Sequence, residues 1–453
     1  MQFYLNTLKR ALPTRLIGSV METTGGTATV ADFPAPVGAV VEIERSSGGH
    51  IRAEVIGFRN SRTLLFPHES LAGIRRGAQV RLTSTLKQLR IGDALLGRVI
   101  DAHGRCVDGR PQPMLTERTL VEREPPTPSE RPRIDQPFAT GIRAVDTMLR
   151  CGRGQRMGVF AGAGVGKSVL LGMLTRYTEA DVNVIALVGE RGRELNDFIQ
   201  RDLGPEGLAR SVIVCATSNE PAVSRVQAAH TATAIAEHYR DQGKNVLLLV
   251  DSVTRFATAL REIGLATGEP PATRGFPPSV FATLPKLVER AGCNRFGSIT
   301  AFYSVLVEGD DPSDPVADTM RGLLDGHLWL SRSLASSGHY PAIDVLESIS
   351  RLMPDVAPPD VQAAAMSIRQ LMAVYRENED LISVGAYRRG SSKTIDAAIE
   401  LRDAIATVLQ QQPAEECTLE QSTQLLLALG ARAQAHLTAA PPQPSQPEPQ
   451  PTA

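Results

Sequence analysis

Eight consecutive residues, Ala161, Gly162, Ala163, Gly164, Val165, Gly166, Lys167 and Ser168, have the residue types that phosphate binding requires, in the required order. Glycines let backbone N–H groups curl around phosphate oxygens, and a helix opening at Lys167 to Val169 adds its positive end. Lys167 reaches the β- and γ-phosphates, and the Ser168 hydroxyl ligates Mg2+. Alanine at 161 departs from the usual glycine and affects only that backbone turn. A second carboxylate fits this chemistry. The apolar run Val246 to Val250 ends in Asp251, where an acid at a strand's C-terminal edge holds Mg2+ through its water shell. A third group, Gly189 to Glu194, follows the apolar run Val184 to Val188. There Glu190 offers a carboxylate to orient an attacking water, with Arg191 beside it to absorb charge on a phosphoryl group. An exposed helix start, which favours acids, accounts for the same residues equally well.

These residues need a scaffold of strand ends. Met157 to Phe160 precedes the glycine run and Val169 to Leu174 continues it with helical spacing, giving strand, loop and helix in series. Between about 90 and 350 apolar strands (Val182 to Val188, Val212 to Cys215, Val246 to Val250, Ser298 to Val307, Leu328 to Leu330) alternate with helical stretches such as Val223 to Gln242. That alternation predicts an α/β core with a mainly parallel sheet. Ahead of it lie short β-like runs (Leu16 to Val20, Thr27 to Val30, Ala39 to Ile43, Ile51 to Phe58, Val80 to Thr83) broken by glycines, which predict a small N-terminal β-barrel. After Met353 the pattern is helical: Pro359 to Glu379, Lys393 to Gln411 and Leu419 to Leu437. The expected division is a segment 1–13, a barrel 14–87, a P-loop core 88–353, a helical C-terminal domain 354–440, and a disordered Pro/Gln-rich tail 441–453.

Composition narrows the class. A chain of 453 residues that is 42% hydrophobic and 21% charged reads as a soluble, multidomain globular protein. Its net charge of −1 and aromatic content of 4% do not favour a nucleic-acid translocase, which wants a basic, aromatic-bearing channel. Residues 1–100 carry 13 Lys/Arg against 7 Asp/Glu. That excess fits either an electropositive docking face or ordinary solvated arginines. The five cysteines show no CxxC pair, and with no leader or spanning run expected, a cytoplasmic location fits best.

Ala161 to Ser168, Gly189 to Glu194 and Leu284 to Gly292 together resemble the rotary-type ATPases, relatives of the ATP synthase β subunit. Val307 to Asp311, Leu324 to His327, Gly338 to Leu346 and Ile382 to Tyr387 resemble its type III protein-export branch, which serves flagella and injectisomes. The resemblance runs over roughly residues 14 to 410. It implies a RecA-like P-loop core and Mg2+-dependent hydrolysis of ATP by a homo-hexameric ring that energises protein export. By resemblance Glu190 polarises the attacking water, Arg191 and Arg290 contact phosphate, Tyr340 packs on adenine, and Arg351 is an arginine finger reaching the neighbouring subunit's nucleotide. The resemblance also implies that the proline-rich loop Gly268 to Pro278 lines the ring's centre, with a purely structural connector as the rival reading.

The implied partners are further copies of the chain, a coiled-coil stalk, a regulatory or stator protein, exported substrates with their chaperones, and a membrane export gate touched peripherally at the inner membrane. No nucleic acid is expected. Arg321 to His327 and Ser350 to Asp355 lean toward the flagellar system, with the injectisome as the alternative. A non-catalytic nucleotide-binding subunit is disfavoured because Glu190 and Lys167 are both present. Phe3, Tyr4, Leu5, Leu8 and Leu12 suit a short amphipathic helix for partner docking or an idle frayed end.

Overall fold

The computed structural model describes residues 16–24, 26–307 and 314–438. The expected N-terminal docking segment, the motif residues Glu308 to Asp311 and the Pro/Gln-rich tail lie outside the described residues. The chain forms two compact units. One comprises Met1–Arg133, Arg156–Phe160 and Ala180–Leu324, the other Ile134–Gln155, Ala161–Glu179 and Asp325–Ala453.

The first unit begins with the expected barrel: β1 (Ile17–Thr24), β2 (Thr27–Ala31), β3 (Val40–Glu44), β4 (His50–Arg59), β5 (Arg62–Pro67) and β6 (Gln79–Ser84). They close in the order β1-β2-β5-β4-β3-β6, antiparallel throughout. Alternation explains the closure. In β3 and β4, Val41, Ile43, Ile51, Ala53 and Val55 point inward to a core shared with Val30, Leu65 and Val80. Register shifts in β1 and β4 bend the strands enough to close them, and closure leaves no open edge. Three arginines of the basic barrel surface are paired, Arg62 with Glu22, Arg81 with Glu42 and Arg45 with Glu69.

The same unit holds the α/β sheet. Its strands lie in the order Arg156–Ala161, Ser298–Leu306, Asn245–Asp251, Val182–Glu190, Ser211–Thr217, Arg98–Asp101. Neighbours among the last five pair in parallel. Both faces of these strands are covered, which is why they read as unbroken apolar runs rather than alternating ones. From the Glu190 strand the chain goes outward to Ser211–Thr217, then returns to the other side as Asn245–Asp251 and continues to Ser298–Leu306. The sheet therefore reverses direction between the strands ending in Glu190 and Asp251. Ligands of open α/β sheets bind outside the carboxyl ends of strands at such a switch point.

The second unit is mainly helical. Helices Pro359–Ser383, Lys393–Leu409 and Leu419–Thr438 pack on one another and on Arg143–Met148. Gly430 lets two of them cross closely, since a Cβ there would stand 2.6 Å from Ala364 Cβ. The P-loop and its helix Lys167–Tyr177 cluster with these C-terminal helices, a grouping that follows three-dimensional contact rather than position in the chain.

Candidate active site

In the second unit the glycine loop has the backbone its sequence implies. Gly164 and Gly166 take φ values of 79° and 88°, the left-handed region where a side chain is strained. Gly166 caps the eleven-residue helix Lys167–Tyr177, whose first-turn N–H groups are the donors a phosphate needs. Leu170, Leu171, Met173 and Leu174 bury one face of that helix, while Lys167 is half-buried and Ser168 exposed. Tyr340 sits beside the loop. Its ring carbons lie 3.4 and 3.5 Å from where a Cβ on Gly166 would stand, and the residue is 44% exposed. A half-exposed aromatic ring of this kind has a face free to stack on a planar group. The chain beyond it is pinned to helix Pro359–Ser383: Arg376 bonds both carboxylate oxygens of Asp344 at 2.8 Å, and Arg369 donates to Val345 O at 2.7 Å. Arg351, in the same unit, is exposed, and its backbone N–H donates to Asp325 O at 2.9 Å.

In the first unit the switch point brings the two acids onto neighbouring strands. Leu187 is the register partner of Asp251, and Glu190 ends its strand three residues further on. Asp251 is buried, with Oδ1 accepting from the Ser304 hydroxyl at 2.5 Å. Glu190 is half-buried, and its carbonyl accepts from Ser218 N–H at 3.0 Å. Two features here escaped sequence reasoning. Ser304 is one. The other is Arg255, an exposed residue in the first turn of helix Val253–Thr267. A Cβ on Gly189, at φ 73°, would meet the Arg255 stem at 3.0 to 3.5 Å, so this arginine lies across the backbone next to Glu190. Its only sequence signal is its place one helical turn after the strand-ending Asp251. Arg191 is exposed and 3.7 Å from Glu194, a surface pair at the same strand end.

Arg290 differs from expectation. It is buried, with Nε and one terminal nitrogen bonded to the Glu237 carboxylate at 2.9 and 2.7 Å and the other 3.4 Å from His230 Nδ1. Desolvation of two charges is offset here by bidentate pairing, so Glu237 holds this guanidinium.

Among the described residues no cluster of three or more His, Cys, Asp or Glu could hold a metal by itself. The donors present are hard oxygens, the Ser168 hydroxyl and the Asp251 carboxylate. Each by itself is an oxygen donor of the kind Mg2+ takes. No helix among the described residues is long and apolar enough to cross a membrane.

Residues 141–350 match the ATP synthase alpha/beta family, nucleotide-binding domain, and residues 357–428 match the T3SS EscN ATPase C-terminal domain. The flagellum-specific ATP synthase of Bacillus subtilis (strain 168) is 49% identical over 415 residues, covering 92% of this chain and 94% of the relative. The type 3 secretion system ATPase of Xanthomonas euvesicatoria is 49% identical over 428 residues, covering 93% and 97%. Among solved structures, the assembled ATPase EscN of the enteropathogenic E. coli type III secretion system matches with a TM-score of 0.87 at 44% identity, covering 91% of this chain and all of that one. The same ATPase in complex with its central stalk EscO matches with a TM-score of 0.85.

Proposed function

The chain belongs to the family of flagellar and type III secretion ATPases, and on that premise we propose how its residues hydrolyse ATP to energise protein export. The observation that carries the reading is the glycine loop with two left-handed glycines, opening a helix and flanked by Tyr340. In this reading the backbone of Ala161 to Gly166 and the N–H groups of Lys167, Ser168 and Val169 cradle the phosphates, and Lys167 neutralises the β- and γ-oxygens. Tyr340 stacks on adenine. Ser168 and Asp251 are the residues that would hold Mg2+. The ion, when bound, offsets charge on the phosphate oxygens. Glu190 orients the attacking water and accepts its proton, while Arg191 and Arg255 balance charge on the transferred phosphoryl group. Arg290 has a structural role. Arg351 acts on the nucleotide of an adjacent copy in a homo-hexamer, so one polypeptide supplies every part of the site.

The barrel 14–87, the core 88–353 and the helical segment 354–440 are the functional divisions of this reading. Its partners are a coiled-coil stalk, a regulatory or stator protein, and chaperone-delivered substrates. Its location is cytoplasmic, at the periphery of an inner-membrane export gate. The stalk-bound EscN match supports the stalk. Flagellar export is the preferred system. Equal 49% identity to a secretion-system ATPase and the EscN match favour the injectisome as the second reading. Complementation of a flagellar-export null and an injectisome null separates them.

The test of catalysis is Mg2+-dependent ATPase activity per subunit over a wide dilution series, with Glu190→Gln and Arg351→Ala alongside. Specific activity that climbs with concentration and is abolished in both variants supports shared sites. Activity independent of concentration removes the role of Arg351 between subunits.

A further inference from the structure

Tyr340 is anchored through its own backbone: its carbonyl accepts from the Gln411 N–H at 2.9 Å. Gln411 is 4% exposed, and its side-chain amide is fully engaged. Oε1 accepts from Arg143 N–H at 2.8 Å, and Nε2 donates to the carbonyls of Gly141 and Glu415, each at 2.8 Å. The reversed amide would set acceptor against acceptor and donor against donor, so this network admits one orientation. Arg143 closes the same turn from outside. Its Nε donates to Val408 O at 3.1 Å, and its terminal nitrogens bond Gln410 O and the Glu415 carboxylate. Pro413 O, in the same turn, accepts from Tyr177 Oη at 2.9 Å and from Arg176 at 2.6 Å. Those two residues end the helix that Lys167 opens. The turn between the last two helices therefore touches both the backbone of Tyr340 and the far end of the phosphate helix.

We propose that Gln411 is a positioning residue for recognition of the nucleotide base, fixing that turn so that Tyr340 is held over the glycine loop. This rests on the reading of Tyr340 as the base platform. Gln411 acts only through Tyr340, so it governs the part of affinity that comes from the base and leaves the part that comes from the phosphates. The setting of the C-terminal helices then tunes how tightly the adenine end is held, independently of the P-loop.

The test compares two ligands on the full-length protein by titration calorimetry with Mg2+: the non-hydrolysable ATP analogue adenylyl imidodiphosphate, and inorganic tripolyphosphate, which lacks the base. Gln411→Met keeps the side chain's length and removes its three hydrogen bonds. It is expected to weaken the analogue about five- to tenfold and to leave tripolyphosphate within about twofold. Added to Tyr340→Ala, it is expected to cost no more than about a further twofold, because both changes act through one contact. Equal weakening of both ligands, no weakening of the analogue, or effects that multiply in the double variant would each overturn the proposal. Should Gln411→Met not fold, Glu415→Gln loosens the same turn and is expected to show a smaller loss confined to the analogue. A uniform or absent effect there overturns the proposal as well. Wild-type protein that binds neither ligand fails the nucleotide reading itself, whereas wild-type binding with an unselective variant fails only the role of Gln411.

Discussion

Ser304 gives its hydroxyl proton to Asp251 Oδ1 at 2.5 Å from the neighbouring parallel strand, and both side chains are buried. A charge-assisted bond of that length fixes the direction in which the carboxylate presents its oxygens. Ser304→Ala removes one donor to a buried carboxylate. The expected outcome is a several-fold rise in the Mg2+ concentration giving half-maximal ATPase activity, with a stability loss of about 1–3 kcal/mol. A Mg2+ titration and a denaturant melt check both. An unchanged titration would reduce Ser304 to a strand-packing residue.

The two left-handed glycines of the loop make a paired comparison. Gly164 and Gly166 have φ of 79° and 88°, and Ala at either costs about 1 kcal/mol of backbone strain. They differ in surroundings. A Cβ on Gly164 meets nothing within 4 Å, whereas one on Gly166 meets the Tyr340 ring at 3.4 Å. Gly166→Ala is therefore expected to weaken binding of the ATP analogue clearly more than Gly164→Ala. Equal losses would mean that the ring yields freely.

For Arg290 the expectation concerns stability. Arg290→Ala strips the buried Glu237 carboxylate of two hydrogen bonds and leaves it the Arg123 guanidinium at 3.8 Å, which costs about 3 kcal/mol. Unfolding of nucleotide-free protein should show that loss, while the protein that remains folded binds the analogue with unchanged affinity. Lost affinity at unchanged stability would restore a phosphate contact.

Much of this fold was legible, and the misses share a cause. The glycine loop and the strand ending in Asp251 are local patterns, so the sequence displays them. Five barrel strands were readable as short β-like runs set off by glycines. The sixth, Arg62–Pro67, is buried on nearly every residue and shows no alternation. Ser304 and Glu237 each act on a residue 53 positions away, Asp251 and Arg290, through contacts that only strand register and packing create. No local pattern encodes such a pairing. The resemblance implies a phosphate contact for Arg290, and packing adds a partner no local pattern shows, Glu237. The expected helix runs to Gln411, whereas the observed one ends at Leu409 and leaves Gln411 in the turn beyond it, bonded to Gly141 and Arg143 far back in the chain.

Two half-buried histidines set an acid limit on stability. Burial pushes His68 and His230 from about 6.5 down to about 3, with nearby His103 and Arg290 respectively adding to the effect. Both are neutral in the folded protein near pH 5, where the unfolded chain has them largely protonated. The unfolded state then binds more protons, so their contribution is complete above about pH 6.5 and is lost as pH falls toward 3. Denaturant melts between pH 7.5 and about 4.5 should show stability falling, by up to ~1.4 kcal/mol per histidine per pH unit below the unfolded value. In His68→Gln that slope should be shallower. An identical slope would place the proton uptake elsewhere.

The final prediction turns on two inactive proteins. If Arg351 serves the site of a neighbouring copy, Glu190→Gln and Arg351→Ala damage different halves of a shared site. A ring mixed from both contains junctions where an Arg351→Ala subunit supplies an intact Glu190 and its neighbour, a Glu190→Gln subunit, supplies an intact Arg351. Random mixing at equal amounts makes such junctions roughly a quarter of the total in a closed cyclic ring. Because a finger contributes about 10³–10⁵ in rate, even that fraction stands far above either parent. Mixing the two variants after dissociation by dilution, then reconcentrating, should therefore regain ATPase activity that neither shows alone. The exposed position of Arg351 is consistent with reaching outward to another copy. A mixture as inactive as its components would mean that Arg351 works within its own subunit, and the homo-hexameric sharing of sites would have to be given up.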